Sequence, residues 1–99
     1  MHVIRVMVTV PPANVEAFVA QLDKESAEVP ARFGGCQKFR VYHGTSDPND
    51  YLLYEEWDSE AAFNEYRQSD YFKDAGQLLF PLIDGAPDSA YFDAQLVGP

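Results

Sequence analysis

One stretch of the chain, residues 51–72, holds most of the side chains that could carry chemistry. Trp57 could stack on a planar aromatic ligand and donate one hydrogen bond from its indole nitrogen. Tyr66 and Tyr71 could donate a hydrogen bond to a carbonyl or phenolate oxygen, because a phenol with an ordinary pKa of about 10 keeps its proton at neutral pH. The same three side chains could instead serve only in packing between strand and helices. Their types therefore suit a flat ligand that carries oxygen.

Two further side chains could take a proton from such a ligand. His43 ends a predicted strand, and an imidazole titrates near neutral pH. Glu55 is predicted on the same strand face as Trp57, where burial would raise the pKa of its carboxyl group into a useful range. The alternatives are a solvated histidine and an ion pair between Glu55 and Arg5 or Arg40 across the sheet. Both His43 and Glu55 are therefore candidate general bases.

Apolar side chains near these candidates would supply the walls of a binding site. Leu53 shares the predicted strand face of Trp57, and two phenylalanines follow on the helices after it. The expected ligand contacts are Leu53, Glu55, Phe63 and Phe72, and the expected catalytic residues are Trp57, Tyr66, Tyr71 and His43.

The sequence predicts neither a metal site nor a bound cofactor. The chain has two histidines and one cysteine, and its histidines and carboxylates show no recurring ligand spacing. A single cysteine excludes an intramolecular disulfide and a cysteine-cluster metal site. Cys36 is expected to be a small buried hydrophobe, and no glycine-rich phosphate loop follows a strand.

Strands and helices alternate along the chain in a recognisable order. Side chains alternate with period two in four segments, which predicts strands, and apolar residues recur at helical spacing in the others. The predicted strands cover residues 2–10, 36–43, 51–57 and 90–97, and the predicted helices cover residues 14–30, 61–67 and 69–81. Asp84 to Asp88 are expected to form a turn before the last strand.

Capping and glycine residues set the expected limits of the helices. Asn14, Ser59 and Ser69 are candidate N-caps. Pro30 and Gly34-Gly35 are expected to close the region of the first helix, and Gly34-Gly35 is expected to make the turn into the next strand with positive φ.

The order βαββαβ predicts a ferredoxin-like α+β fold in one domain, residues 1–99. Helices would cover one face of a four-stranded antiparallel sheet and leave the other face open. A homodimer with its sheets packed face to face would cover that open face. The last strand is expected to contribute much of the interface.

Charge and composition limit the possible partners. The net charge is −9, and nucleic acid or an anionic membrane would be repelled by it. The hydrophobic fraction of 46% fits a packed globular protein. Neither a long apolar run nor a secretory signal pattern is visible, so a soluble cytoplasmic protein is expected.

Three short motifs carry a resemblance that spans essentially the whole chain. They are Gly34-Gly35-Cys36, the Trp-x-Ser-Glu pattern at residues 57–60 and the Ser-x-x-Phe pattern at residues 69–72. With these motifs the chain resembles the antibiotic biosynthesis monooxygenase family of small dimeric α+β barrels. The resemblance implies cofactor-independent oxygenation of a small aromatic, quinol or polyketide substrate. It also implies that Trp57 belongs to the substrate pocket.

The chain departs from the family at several pocket positions. Many quinol oxygenases of the family have histidine in place of Tyr66 and Tyr71, and the aromatic-polyketide oxygenases have asparagine in place of Leu53. The haem-degrading branch has asparagine, tryptophan and an axial histidine where this chain has Val6, Tyr66 and Gly76, so haem is not expected. The alternative functions are a non-catalytic ligand-binding or stress-response barrel and a polyketide cyclase.

Overall fold

The computed structural model describes residues 1–98, and its elements follow the predicted order. The strands are β1 (His2–Thr9), β2 (Cys36–His43), β3 (Asp50–Trp57) and β4 (Asp84–Asp93). The α-helices are α1 (Val15–Arg32), α2 (Glu60–Arg67) and α3 (Asp70–Leu79), and two short 3₁₀ helices lie at Pro12–Asn14 and Phe80–Leu82. Residues 1–98 contain no helix with the length and apolar character that a membrane crossing requires.

The four strands form one antiparallel sheet in the order β2-β3-β1-β4. This topology is that of the ferredoxin-like βαββαβ fold, so the predicted fold class is confirmed. Strand β1 lies between β3 and β4, with Ile4 opposite Glu55 on one side and opposite Tyr91 on the other. Residues from distant parts of the sequence therefore meet on the helix-covered face of the sheet.

Helix α1 packs on the sheet through the apolar stripe that its spacing predicts. Phe18, Leu22 and Val29 are each at most 2% exposed. Burial of one such side chain contributes about 1.5–3 kcal/mol to stability. The largest fully buried side chains are Trp57, Phe18, Phe39, Ile4, Leu22, Val10 and Val29.

The last strand begins earlier than predicted. β4 covers Asp84–Asp93, whereas the sequence predicts residues 90–97, with Asp84 to Asp88 as a turn. Gly85 adopts a φ of 76°, and the register with β1 shifts between Met7 and Thr9, which marks a bulge. Pro87 is tolerated because β4 is an edge strand, where one side of the backbone needs no hydrogen bond. The glycine and proline therefore mark a bulged edge strand.

Helix α1 ends at Arg32, between Pro30 and Gly34-Gly35, as predicted. It continues past Pro30 because a proline near the last turn removes only one hydrogen bond, and the Phe33 N–H still donates to the Val29 carbonyl at 2.9 Å. Asn14 occupies the predicted N-cap position, but its side chain makes no capping hydrogen bond within residues 1–98; its Nδ2 donates to the Leu82 carbonyl oxygen at 3.2 Å. Ser59 and Ser69 do cap α2 and α3 as predicted.

The turn before β2 requires glycine for space and not for positive φ. Neither Gly34 nor Gly35 has positive φ, so that prediction is wrong. A Cβ atom on Gly35 would lie 2.6 Å from the Cβ of Ala62 on α2. The Gly35 carbonyl also accepts a hydrogen bond of 2.8 Å from the Asp58 N–H. Gly35 therefore allows α2 to pack directly against the turn.

We expect Gly35→Ala to lower the free energy of unfolding by about 1–3 kcal/mol, because α2 must move to admit the new methyl group. Gly34→Ala is the matched control, since a Cβ there would have no heavy atom within 4 Å. That control should be neutral or slightly stabilising. Urea unfolding of both variants measures the difference, and equal stabilities would show that the close approach is relieved without cost.

Candidate functional site

A cavity of about 320 Å³ lies between the helix-covered face of the sheet and the helices. That volume is at the lower end of the range for small-molecule sites, about 300–1,000 Å³. Side chains from all four strands and all three α-helices line the cavity, and most are apolar. The side chains with polar atoms among them are Glu25, Glu55, Tyr66, Arg67, Ser89 and Tyr91. A few polar groups in an apolar enclosure are what a small-molecule site requires.

The structure brings five of the eight predicted site residues to this cavity. They are Leu53, Glu55, Phe63, Tyr66 and Phe72. The three others, Trp57, Tyr71 and His43, are not among the residues that line it.

Trp57 lies behind the cavity wall, fully buried. Its Nε1 donates a hydrogen bond to Glu55 Oε1 at 3.0 Å. Its ring stacks on Tyr66, with centroids 5.0 Å apart and an interplanar angle of 22°, and meets Phe63 edge-on at 5.7 Å. Trp57 therefore contacts three residues that face the cavity and has the packing role that was the alternative to a ligand contact. Its indole N–H donates to Glu55, whereas the sequence analysis expected it to donate to a ligand.

The match to known proteins extends over most of the chain. Residues 1–78 match the sequence model of the antibiotic biosynthesis monooxygenase family. The chain belongs to this family. None of the curated proteins matches it by sequence.

Solved structures with the same fold include members described by the family's name. A candidate antibiotic biosynthesis monooxygenase of Caulobacter crescentus CB15 is 27% identical, with a TM-score of 0.90, over 96% of this chain and 90% of that one. A conserved protein of Methanosarcina mazei Go1 is 28% identical, with a TM-score of 0.82, over 96% and 95% of the two chains. A candidate monooxygenase of the same description from Deinococcus radiodurans, 16% identical with a TM-score of 0.89 over 100% and 97%, shares the fold.

Glu55 gives this antibiotic biosynthesis monooxygenase family member a buried carboxyl group in its cavity. The residue is 5% exposed. The pKa of the carboxyl group is raised from 4.5 to about 7, because burial raises it more than the hydrogen bond from Trp57 lowers it, and the charge of Glu25 also raises it. Within residues 1–98, Trp57 Nε1 donates the one side-chain hydrogen bond that this carboxyl group accepts. Glu55 can therefore exchange a proton near neutral pH.

The predicted ion pair between Glu55 and Arg5 or Arg40 is wrong. Both arginines lie opposite Tyr54, the residue before Glu55, so they point to the other face of the sheet. Arg5 instead approaches Asp88, with Nη2 3.7 Å from Oδ1. The alternation of the strands therefore separates Glu55 from Arg5 and Arg40, and within residues 1–98 Glu55 forms no salt bridge.

Tyr66 provides the cavity with a phenol that stays neutral. The residue is 3% exposed. Burial, and then the charges of Glu55 and Glu25, raise the pKa of its hydroxyl well above the ordinary value of 10. Tyr66 can therefore donate a hydrogen bond to a negatively charged oxygen, as the sequence predicts for its type.

Tyr71 and His43 lie away from the cavity. The Tyr71 hydroxyl donates to Glu28 Oε2 at 2.9 Å, and the Arg32 guanidinium lies 5.1 Å from the centre of its ring. Burial and the Glu28 hydrogen bond raise the pKa of Tyr71. His43 is exposed, with Nδ1 3.2 Å from the Gly44 carbonyl oxygen. Both side chains are committed to local contacts.

Glu25 is a second buried carboxyl group at the cavity, and it is not among the site residues predicted from the sequence. Glu25 is 2% exposed, and burial raises the pKa of its carboxyl group. Its Oε2 accepts a hydrogen bond of 3.0 Å from Gln21 Nε2. The residue lies between Leu22 and Val29 on the buried stripe of α1. An acidic residue on an apolar stripe was the signal that could have identified it.

Cys36 is buried as predicted. Burial and the nearby charge of Glu55 raise the pKa of its thiol to about 12. The thiol therefore stays protonated at neutral pH and is a poor nucleophile.

We expect Trp57→Phe to lower the free energy of unfolding by about 1–3 kcal/mol. The smaller ring leaves a void in a fully packed site, and Glu55 loses its hydrogen-bond donor. Thermal and urea unfolding measure the loss. A variant that unfolds like the wild type, but binds a quinone analogue more weakly, would instead place the indole in contact with the ligand.

Proposed function

We propose that this chain is a cofactor-independent monooxygenase that oxidises a small aromatic substrate of the quinol or polyketide type. The Glu55 carboxyl group, buried in an apolar cavity with a pKa of about 7, carries the proposal. Membership of the antibiotic biosynthesis monooxygenase family supports it. The candidate monooxygenase of C. crescentus shares this fold at 27% identity.

In this proposal Glu55 is the general base. A base with a pKa near the working pH is efficient for two reasons: much of it is ionised, and the ionised form is still basic enough to take a proton from the substrate. Glu55 takes a proton from a phenol or from an acidic C–H of the substrate. Tyr66 donates a hydrogen bond to the oxygen on which negative charge develops. Trp57 acts through Glu55 and is a positioning residue.

The oxidation itself needs only the substrate anion and molecular oxygen. The anion transfers an electron to O₂, and the two radicals combine through a new carbon–oxygen bond. Cleavage of the oxygen–oxygen bond then leaves a carbonyl group on the substrate and releases water. One O₂ is consumed, two substrate hydrogens are lost and one oxygen is gained, so the reaction needs no external reductant. The protein has to bind, deprotonate and exclude water.

A second copy of the chain is the proposed partner. The face of the sheet away from the helices exposes Met7, Tyr42 and Phe92, at 43%, 51% and 52%. These residues alternate with those that face the cavity. A second sheet packed on this face would cover them. Light scattering over a dilution series tests the homodimer, and a monomer that persists at high micromolar concentration contradicts it.

Oxygen uptake with a panel of dihydroxynaphthalenes and anthrones tests the proposed activity. We expect uptake that depends on the protein for at least one compound, with one O₂ per product molecule. The product should contain one more oxygen and two fewer hydrogens than the substrate, and it should not form under nitrogen. Uptake no faster than without protein for every compound would contradict the proposal on that panel.

The departures from the family at Leu53, Tyr66 and Tyr71 favour a second candidate class. A barrel that binds a ligand without changing it, or that cyclises a polyketide, needs no oxygen. Ligand binding that is detected by tryptophan fluorescence, with the ligand recovered unchanged, would indicate the ligand-binding barrel. Conversion of a polyketide under nitrogen would indicate the polyketide cyclase.

A further inference from the structure

Three side chains with metal-binding atoms meet outside the cavity. His2 begins β1, Glu60 begins α2 and Asp93 ends β4. One ligand atom from each residue lies within 4.8 Å of the other two. His2 Nδ1 is 2.9 Å from Asp93 Oδ1, because the two residues are opposite each other in the β1–β4 ladder. The cluster lies on the helix-covered side of the sheet, away from the open face.

We propose that His2, Glu60 and Asp93 bind one divalent transition-metal ion, with Zn²⁺ as the reference ion. One imidazole nitrogen and two carboxylate oxygens are ligands that Zn²⁺ accepts at about 2.0–2.2 Å. Ligand atoms around one such ion lie roughly 3–4 Å apart. Small rotations of the two exposed carboxylates would bring their oxygens from within 4.8 Å to that spacing. Water would fill the remaining position.

The histidine is already fixed in the orientation that binding needs. His2 is 6% exposed, and its ring packs against Phe63 at 5.6 Å and is parallel to Tyr91 at 6.4 Å. Nδ1 points to the carboxylate of Asp93, whose side chain is 75% exposed. An imidazole that is already fixed loses little conformational entropy when a metal binds.

The surroundings offer space and uncompensated negative charge. A shallow depression beside His2 has three acidic residues, Glu60, Asp93 and Asp58, in its lining. Within residues 1–98, neither Glu60 nor Asp93 forms an ion pair with lysine or arginine. The amino group of Met1 lies nearby but donates to the Ala94 carbonyl oxygen at 2.8 Å. A divalent cation would balance this charge, in a chain of net charge −9.

The bound ion would have a structural role, as a metal cross-link that we call the clip. It would join the start of β1, the start of α2 and the end of β4, next to Phe63 and Tyr91, which line the cavity. It would not touch the substrate or Glu55. The proposal is therefore independent of the proposed oxygenase activity.

Zinc titration of the metal-stripped, tag-free protein tests the clip. We expect calorimetry to show one saturable Zn²⁺ per chain, and zinc to raise the melting temperature. Glu60→Gln and Asp93→Asn should each weaken binding at least about tenfold, since even residues behind the ligands of a metal site affect affinity to that extent. Both side chains are exposed, so these variants should keep the fold.

His43→Gln is the matched control, because His43 is the other histidine and lies outside the cluster. It should bind zinc like the wild type. Absence of saturable binding by the wild type would overturn the proposal and leave His2 and Asp93 as an ion pair only. Full affinity in both carboxylate variants would also overturn it, by assigning the zinc to the amino terminus with His2. Loss of binding in His43→Gln would overturn it as well.

Discussion

Glu55→Gln should lower kcat for the oxidation of an active quinol or anthrone at least about 100-fold, with the fold intact. General base catalysis contributes typically 10²–10⁴-fold, and the amide cannot accept the substrate proton. The amide has nearly the shape of the carboxyl group, and its oxygen can still accept the hydrogen bond from Trp57 Nε1. Oxygen uptake under substrate saturation measures the loss, and circular dichroism confirms the fold.

The neighbouring residue provides the control. Glu56→Gln changes the same functional group one position along β3, where the side chain points to the opposite face. Glu56 Oε2 accepts a hydrogen bond of 2.8 Å from the Tyr54 hydroxyl and lies 3.8 Å from Lys38 Nζ. This variant should keep most of the wild-type rate. Similar losses in the two variants would point to a general effect of charge and not to a base at residue 55.

The pH dependence of the rate gives a second test of Glu55 as the general base. In the wild type, kcat/KM should rise as the pH increases through about 7 and then level off, because the base acts only when ionised. The rise should be absent from the residual activity of Glu55→Gln. A wild-type rate that does not change between pH 5 and 9 would remove Glu55 from the reaction.

The wild-type protein should lose about 3 kcal/mol of stability between pH 4.5 and 8 through Glu55 alone. The folded state holds the carboxyl proton up to a pKa of about 7, whereas the unfolded chain releases it near 4.5. Between these values the folded state binds more protons, so stability falls as the pH rises. Each pKa unit corresponds to 1.36 kcal/mol. Glu25, whose pKa is raised in the same direction, adds to the loss.

Urea unfolding at pH 5 and pH 8, at a fixed protein concentration, measures this dependence. Glu55→Gln should remove the largest part of it and should be the more stable protein at pH 8. Glu56→Gln should retain the full wild-type difference. Equal pH dependence in all three proteins would mean that Glu55 is solvated in the folded state.

The sequence predicts most of the fold because its patterns are local. Period-two alternation places Leu53, Glu55 and Trp57 on one face of β3, and the structure confirms this. The alternation cannot predict whether a side chain on that face lies in the packed core or lines the cavity. A core residue such as Trp57 and a cavity-facing residue such as Leu53 occupy the same face, and only the helix packed above separates them.

The remaining features depend on residues that are distant in sequence. The partners of His2 are residues 60 and 93, and no local spacing reveals such a cluster. Glu25 lies on α1, and its charge raises the pKa of Glu55 on β3. The start of β4 was missed because Gly85 and Pro87 have the same appearance in a free turn and in a bulged edge strand.

The inner position of β1 makes the two ends of the chain interdependent. Residues 2–9 pair with residues 84–93, which contribute Pro87, Ser89 and Tyr91 to the cavity. During synthesis β1 leaves the ribosome before β4, so one edge of β1 stays unpaired until β4 emerges. Such non-local pairing carries a high contact order and slows folding. A nascent chain that stalls before residue 84 would present an open strand edge and an unfinished cavity, and both favour aggregation.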